Sequence, residues 1–76
     1  MVSINPEMYL PDRLRYILPR IYTCKVSCQG TYTVAILNDE EVGVAKCNPT
    51  DKYDVQVGVR IALARAARRL LWESGQ

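Results

Sequence analysis

Three cysteines, Cys24, Cys28 and Cys47, are the residues of this 76-residue chain whose side chains could act as thiolate nucleophiles or as the sulfur ligands of a zinc site. A structural zinc site takes four cysteine or histidine ligands, and the chain contains no histidine. Cys24 and Cys28 fall on one predicted strand, about 13 Å apart at ~3.3 Å per residue, which is too far for a disulfide. We therefore expect reduced, mostly buried cysteines, a cytoplasmic protein, and neither a metal nor a cofactor.

An enzyme is the function class that this composition supports least. Without histidine the usual general base is missing, and no Ser-His, Cys-His or phosphate-loop arrangement appears in the sequence. We therefore expect a protein that acts by binding.

Positive charge is concentrated towards the end of the chain. Four arginines against one acidic residue, Glu73, give residues 55–76 a net charge of +3, while residues 31–54 carry −3. These arginines are Arg60, Arg65, Arg68 and Arg69. They form either a solvated surface near the end of a helix or, together with Lys46, an anion-binding surface for nucleic acid or an acidic protein. The first interpretation is the commoner one for surface charges.

The elements that would position these residues follow the order α-β-β-β-α. They are a helix over Pro11–Leu18 that Pro19 ends, strands over Ile21–Cys28, Thr31–Leu37 and Val42–Cys47, and a helix from Val55 to Trp72. Asp54 is the predicted cap of the long helix, with Thr50 or Asp51 as alternatives, and Gly75 is its predicted end. Residues 1–10 lack periodicity and are expected to form an arm. Residues 11–76 then make one small α+β domain, a three-stranded antiparallel sheet with both helices packed on one face.

The turn before the last predicted strand sets the register of the sheet. A turn centred on Asp39 and Glu40 places Leu37 opposite Val42. The small residues at positions 43 and 45 leave room for a helix, so we expect their side of the sheet to be the core face. This predicted core face consists of Tyr32, Val34, Ile36, Gly43, Ala45 and Cys47. The apolar side of the first strand lies on this same core face only if the turn at Gly30 has an odd length or a bulge, with Gly30 in the left-handed conformation.

The long helix has two apolar arcs when its residues are placed about 100° apart. The first arc should pack on the sheet and comprises Val55, Val59, Ala62, Leu63, Ala66 and Leu70. The second comprises Val57, Ile61, Ala64, Leu71 and Trp72, interrupted by Arg60 and Arg68. A domain this small cannot bury both arcs, so either the short first helix or another chain covers the second. We favour the short helix for Val57 and Ile61. For Leu71 and Trp72, exposure or an interface is as well supported as coverage by the short helix.

Size and hydropathy limit the remaining possibilities. A single core of this size supplies only about 3–5 kcal/mol, and association with another chain is one way to exceed that, so self-association is expected. No stretch reaches the ~18 apolar residues of a membrane span. Residues 1–19 contain three prolines and no continuous apolar segment, so a secretory signal is not expected either.

A resemblance to a known family appears in the second half of the chain. Gly43-Val-Ala-Lys-Cys-Asn-Pro-Thr-Asp51, followed by Val57-Gly58, Ile61-Ala62 and Arg65-Ala66, resembles a family of small bacterial and phage proteins. In that family the last strand runs into an Asn/His-Pro-x-Asp turn and then into an Ile/Val-Gly-x-x-Leu-Ala-x-x-Arg-Ala helix. The resemblance covers about residues 31–71. The family is similar in fold to double-stranded-RNA-binding domains, which also have the order α-β-β-β-α.

The resemblance does not extend to the residues that bind RNA in that fold. RNA-binding members place a Lys-Lys-x-x-Lys cluster at the start of the second helix, whereas residues 54–59 read Asp-Val-Gln-Val-Gly-Val here. We therefore do not expect double-stranded RNA to bind through that surface. The resemblance implies an interaction module instead, because small phage proteins of such folds include inhibitors of bacterial defence systems such as CRISPR.

Together these features favour a phage or mobile-element protein that binds a host protein and self-associates. The predicted contact residues are Arg60, Arg68, Leu71 and Trp72 on the helix, with Asp39, Glu40 and Glu41 in the acidic turn. The alternative function is a nucleic-acid-binding module that uses Arg60, Arg65, Arg68, Arg69 and Lys46. The sequence leaves the identity of the partner open in both cases.

Overall fold

The computed structural model describes residues 1–46 and 55–74, except for the side chains of residues 73 and 74. The strands of this part are β1 Val2–Ser3, β2 Cys24–Gln29, β3 Tyr32–Leu37 and β4 Glu41–Lys46. The helical segments are the 3₁₀ helices η1 Pro6–Met8 and η2 Asp12–Arg20 and the α-helix α1 Val55–Ser74. The protein is therefore α+β, with an antiparallel sheet and a C-terminal helix, as predicted.

The sheet has four strands in the order β1-β2-β3-β4, each antiparallel to its neighbour. The prediction of three strands was wrong, because the segment assigned to an arm contributes β1, in which Val2 pairs with Val26. The N–H of Ile4 also donates to the carbonyl of Cys24 (3.0 Å). A strand of two residues is too short to reveal itself by alternation, which needs about four residues or more.

The short helix is present as a 3₁₀ helix, η2, and not as an α-helix. Its buried residues, Leu14 and Ile17, are three positions apart, which matches the three residues per turn of this helix type. Pro19 does not end it as predicted, because η2 continues to Arg20.

The turn between β3 and β4 decides which side chains of β3 face the core. Asn38 and Asp39 have positive φ angles of 56° and 60°. Together with the hydrogen bond from the N–H of residue 40 to the carbonyl of Leu37 (3.1 Å), these angles are typical of a type I′ turn. Glu40 is an additional loop residue, so the loop has three residues, 38–40, and Leu37 pairs with Glu41 and not with Val42 as predicted.

This shift of one residue turns β3 over relative to the prediction. The residues of β3 that face the core are Thr33, Ala35 and Leu37, while Tyr32, Val34 and Ile36 lie on the opposite face. Gly43 and Ala45 do face the core, as predicted. The expected conflict with β2 disappears as well, since Cys24 and Val26 pair with Leu37 and Ala35.

The turn between β2 and β3 contains Gly30 and Thr31, because Gln29 pairs with Tyr32. The predicted left-handed conformation of Gly30 is confirmed by its φ angle of 59°. The preceding strand is shorter than the predicted Ile21–Cys28, and Tyr22 lies outside it with its side chain 85% exposed.

Helix α1 packs closely on one face of the sheet, which we call the inner face. A Cβ built on Gly43 would collide with backbone atoms of Ala62 and Ala66, so the helix lies almost directly on β4. The buried core also takes residues from η2 and from the segment before it. Its members are Leu10, Leu14, Ile17, Cys24, Val26, Ala35, Leu37, Ala45, Val59, Ala62, Leu63, Ala66 and Ala67. The other side of the sheet is the outer face.

Several predicted features fall outside the described residues. They are the cap at Asp54 with its alternatives Thr50 and Asp51, the end of the helix at Gly75, and Cys47. Within the described residues, no helix combines the length and the apolar character needed to cross a membrane.

Candidate functional site

The side of α1 that points away from the sheet carries a line of exposed residues. Val57, Ile61 and Trp72 have exposed fractions of 47%, 42% and 73%, and Arg68 is exposed between them. At about 100° per residue, all four lie within about 60° of one another and opposite the buried Ala66 and Val59. We call Val57, Ile61, Arg68 and Trp72 the helix ridge.

The second apolar arc predicted for this helix is therefore divided. Ala64 and Leu71 are half-buried and pack against the core, which leaves Val57, Ile61 and Trp72 on the ridge. Our preference for coverage of Val57 and Ile61 by the short helix was wrong. Helix η2 contributes its buried leucine and isoleucine to the inner face and does not cover the ridge.

The four arginines of α1 do not form one stripe. Arg60 and Arg69 lie about 180° apart around the helix, with Arg68 and Arg65 between them. The guanidinium of Arg65 is bound to the edge of the sheet, where its Nη1 donates to the carbonyl oxygen of Val44 (2.6 Å). Arg65 is therefore less available to an external anion than Arg60, Arg68 or Arg69.

Arg60 contributes to a shallow groove beside the first helical segments. The groove has a volume of about 410 Å³ and is lined by Glu7, Met8, Tyr9, Leu10, Pro11, Asp12, Arg15 and Arg60. Arg15 forms salt bridges with Glu7 (3.0 Å) and Asp12 (3.8 Å), so both carboxylates of the groove are already paired with a cation. The groove has mixed charge and no strong preference for an anion or a cation.

Lys46 lies on a different surface from the arginines. Its Nζ is 5.5 Å from the centre of the Tyr32 ring, within the range of a cation–π contact on the outer face. The residues predicted to bind nucleic acid are thus distributed over the outer face, the edge of the sheet and the helix ridge.

The acidic turn presents two of its three carboxylates to solvent. Asp39 and Glu40 are exposed, but Glu41 is only 3% exposed because it faces inward as the first residue of β4. Asp39 also forms a salt bridge with Lys25 (3.3 Å). Of the predicted contact residues in this turn, Asp39 and Glu40 are the ones that a partner can reach.

The outer face is an apolar surface, and its residues from β3 were predicted to lie in the core. It carries Tyr32, Val34 and Ile36 from β3 and Val42 and Val44 from β4. Tyr32 and Val44 are 44% and 40% exposed, and the other three are half-buried. Asn38 was the signal that could have revealed it, because asparagine tolerates positive φ angles and so favours a loop that begins at residue 38. Such a loop of three residues, 38–40, exchanges the two faces of β3 relative to the prediction.

The cysteines of β2 differ in burial and in reactivity. Cys24 is buried and Cys28 is exposed, and both are free. Burial raises the pKa of the Cys24 thiol from its ordinary value of 9.0 to about 11, which makes its thiolate scarce at neutral pH. No group of histidine, cysteine or acidic side chains in the described residues is arranged to hold a metal ion.

Comparison with known proteins yields no relatives for this chain. No protein-family model matches it, and no curated protein or solved structure is significantly similar to it. The helix ridge, the outer face and the acidic turn are therefore the observations on which a function can be argued.

Proposed function

We propose that this protein is a non-enzymatic interaction module that binds another protein through the helix ridge. The observation that carries the proposal is the line of Val57, Ile61 and Trp72 on the solvent side of α1, each more than 40% exposed. Exposed apolar patches of this kind mark contact surfaces in soluble proteins. A tryptophan beside an arginine is also a frequent combination among residues that dominate binding energy.

The shape of the ridge fits a groove on the partner. Fifteen residues separate Val57 from Trp72, which corresponds to about 22 Å along a helix. A helix that presents apolar residues along one line commonly lies in a hydrophobic groove of its partner. Arg68, between Ile61 and Trp72, would pair with an acidic group at the wall of that groove.

The partner class that we propose is a host protein of a phage or mobile element, with a bacterial defence protein such as a CRISPR component as the specific target. This part of the proposal is supported by the resemblance of residues 43–66 to small phage and bacterial proteins. Asp39 and Glu40 provide a second contact that would suit a basic, nucleic-acid-binding surface.

Capture of the partner followed by affinity measurement tests this proposal. The tagged protein would be used to isolate host proteins, and the dissociation constant of each purified candidate would be measured for wild type and Trp72→Ala. We expect Trp72→Ala to weaken binding by about thirtyfold, the effect of losing a residue worth ~2 kcal/mol. Tyr22→Ala is the matched control, since Tyr22 is an aromatic residue that is 85% exposed and lies off the ridge.

Two results would overturn the proposed surface. One is a partner whose affinity is equal for wild type, Trp72→Ala and Ile61→Ser. The other is a loss of affinity in Tyr22→Ala that matches the loss in Trp72→Ala. Circular dichroism of each variant confirms that the fold is retained.

A second candidate function is nucleic-acid binding, which is favoured by the exposure of Arg60, Arg68 and Arg69. No salt bridge within the described residues holds any of the three. If each contacted one phosphate of duplex DNA, the logarithm of the binding constant would fall with the logarithm of salt concentration with a slope of about −2.7. Fluorescence anisotropy with labelled single- and double-stranded oligonucleotides measures this slope, and an absence of binding at low salt rejects this function.

A further inference from the structure

The outer face of the sheet is more apolar than a solvent-facing side of an antiparallel sheet normally is. Its centre consists of two cross-strand pairs, Ile36 with Val42 and Val34 with Val44. An antiparallel sheet with one face in water usually alternates apolar and polar residues along each strand. Here the inner residues of β3 and β4 are small apart from Leu37 and Glu41 beside the turn. The central outer residues are large and β-branched, so the centre of the outer face has the composition of a buried surface.

We propose that this outer face is the interface of a homodimer, in which the sheets of two copies of the chain pack face to face. Sheets packed in this way interdigitate their side chains at a separation of about 10 Å. The proposal concerns the surface opposite the helix ridge and does not depend on binding through that ridge; it shares only Asp39 with the second contact proposed above.

The charges at the two ends of the outer face argue for a second copy as the occupant. Lys46 lies at one end of the β3–β4 hairpin, over the ring of Tyr32. Asp39 lies at the other end, in the turn, where it is bound to Lys25. The turn end carries two carboxylates, those of Asp39 and the exposed Glu40, against the one ammonium group of Lys25. Lys46 supplies an ammonium group at the open end, and aliphatic residues lie between the two ends.

A two-fold rotation makes this arrangement complementary to itself. An axis that lies between the sheets and runs across the strands reverses the strand direction in the second copy. Lys46 of each copy then lies near Asp39 of the other copy. The valine and isoleucine residues at the centre of one outer face pack on the same residues of the other copy. An interface built by such an axis uses one patch twice, as in most homodimers.

The size of the face determines how tight the dimer can be. Six residues per strand and three strands give an area of about 20 Å by 14 Å, at ~3.3 Å per residue and ~4.8 Å between strands. This area is well below the ~800 Å² per partner of a standard interface. We therefore expect a dimer that forms reversibly and dissociates on dilution.

Sedimentation equilibrium over a concentration series up to the millimolar range tests the proposal. We expect wild type to pass from monomer to dimer within this range, and the double variant Val34→Thr with Val42→Thr to raise the dimer dissociation constant at least about tenfold, since two apolar contacts are lost from each copy. The matched control is Val55→Thr with Val57→Thr, which makes the same chemical change at two valines of α1 that are 50% and 47% exposed. This control should dimerise like wild type.

A charge reversal tests the orientation of the two copies. Lys46→Glu should weaken the dimer, because it places like charges together, whereas Arg68→Glu, the same kind of change on the helix ridge, should not. Lys46 is exposed, so this variant still decides the question if the valine variant does not fold.

The proposal is overturned by any of three results. Wild type could remain monomeric at every concentration. The control at Val55 and Val57, or Trp72→Ala, could dissociate the dimer as strongly as the variant at Val34 and Val42. Finally, Lys46→Glu could dimerise as tightly as wild type.

Discussion

The inner face of β3 and β4 carries small side chains, except for Leu37 and Glu41 beside the turn, whereas the outer face of the same two strands carries large ones. The inner residues include Thr33, Ala35, Gly43 and Ala45, and the outer ones Val34, Ile36, Val42 and Val44. Hydropathy alone would place the second set in the core. Our prediction did so for Val34 and Ile36, although it correctly placed Gly43 and Ala45 there as well. The structure places the first set there because α1 lies so close to β4 that only small side chains fit beneath it.

The difference between the two faces shows that size and hydropathy carry separate information in this sheet. The small side chains of the inner face allow α1 to approach the sheet closely. The approach is tightest at Gly43, where the helix backbone leaves no space for a Cβ atom. The outer face retains apolar surface that this close approach does not require. A surface that is apolar without being needed for the monomer's core is a surface available for association.

The largest effect that would test this contrast is expected at Gly43. In Gly43→Ala the new methyl group collides with the backbone of Ala62 and Ala66, which cannot move aside as a flexible side chain could. We expect the free energy of unfolding to fall by about 3 kcal/mol or more, most of the stability of so small a domain. Urea unfolding followed by circular dichroism measures it. Val44→Ala, one residue away on the outer face, is the control, and equal losses in the two variants would contradict the assignment of faces.

Asn38 sharpens the comparison, because its turn determines which residues of β3 reach which face. Its Oδ1 accepts hydrogen bonds from the N–H groups of Tyr22 (2.6 Å) and Thr23 (3.2 Å), and its Nδ2 donates to the carbonyl of Arg20 (2.8 Å). Asn38→Ala loses these bonds and keeps the positive φ angle, so we expect a loss of about 2–3 kcal/mol in the free energy of unfolding.

The comparison of Asn38→Ala with Asn38→Gly separates the two causes. Glycine adopts the positive φ angle without strain, so Asn38→Gly should lose less stability than the alanine variant. Chemical denaturation of both variants provides the measurement. An alanine variant as stable as wild type would show that the turn does not depend on this side chain.

A smaller effect is expected from substitutions at residues 44 and 45, which are neighbours on opposite faces of β4. Ala45→Val adds two methyl groups under α1 and should cost about 1–2 kcal/mol of unfolding free energy through overpacking. Val44→Thr, on the exposed neighbouring residue, should change the stability of the monomer by less than about 0.5 kcal/mol. Thermal or urea unfolding, at a concentration where the protein is monomeric, measures the change in unfolding free energy for both variants. If Val44→Thr proved the more destabilising change, the outer face would be part of the monomer's core.

The smallest effect distinguishes Cys24, under the helix, from Cys28, near the end of the same strand. The pKa of the folded Cys24 thiol is about 11 against an ordinary 9.0, so the unfolded chain releases this proton more readily. Its contribution to stability is therefore complete below pH 9 and is lost as the pH rises towards 11. Stability measured across this range should decline less in Cys24→Ala than in Cys28→Ala. An identical decline in both would contradict the burial of Cys24.

The parts of this fold that the sequence predicted are those with several residues of consistent pattern. Helix α1, the three longer strands, the left-handed Gly30 and the buried Val59, Ala62, Leu63 and Ala66 were all expected. The helix, the strands and the buried residues follow a repeated hydrophobic period. Gly30 is a residue type that adopts the left-handed conformation without strain.

The features that were missed depend on single residues or on very short segments. Strand β1 has two residues, and η2 follows a period of three that overlaps with the helical period of 3.6. The loop between β3 and β4 has three residues where the predicted pairing left four, and this difference of one reverses the orientation of every side chain in β3. The same shift buries Glu41, which the sequence presented as part of an exposed acidic turn.

The bond between Arg65 and the carbonyl of Val44 has a consequence for how large any assembly can become. Strand β4 is the last strand of the sheet, and such strands can add further chains one after another without limit. The guanidinium of Arg65 occupies a carbonyl oxygen of β4 that would otherwise accept a hydrogen bond from the backbone N–H of an added strand. Growth into an open-ended polymer is thereby disfavoured, whereas pairing through the face of the sheet closes after two copies.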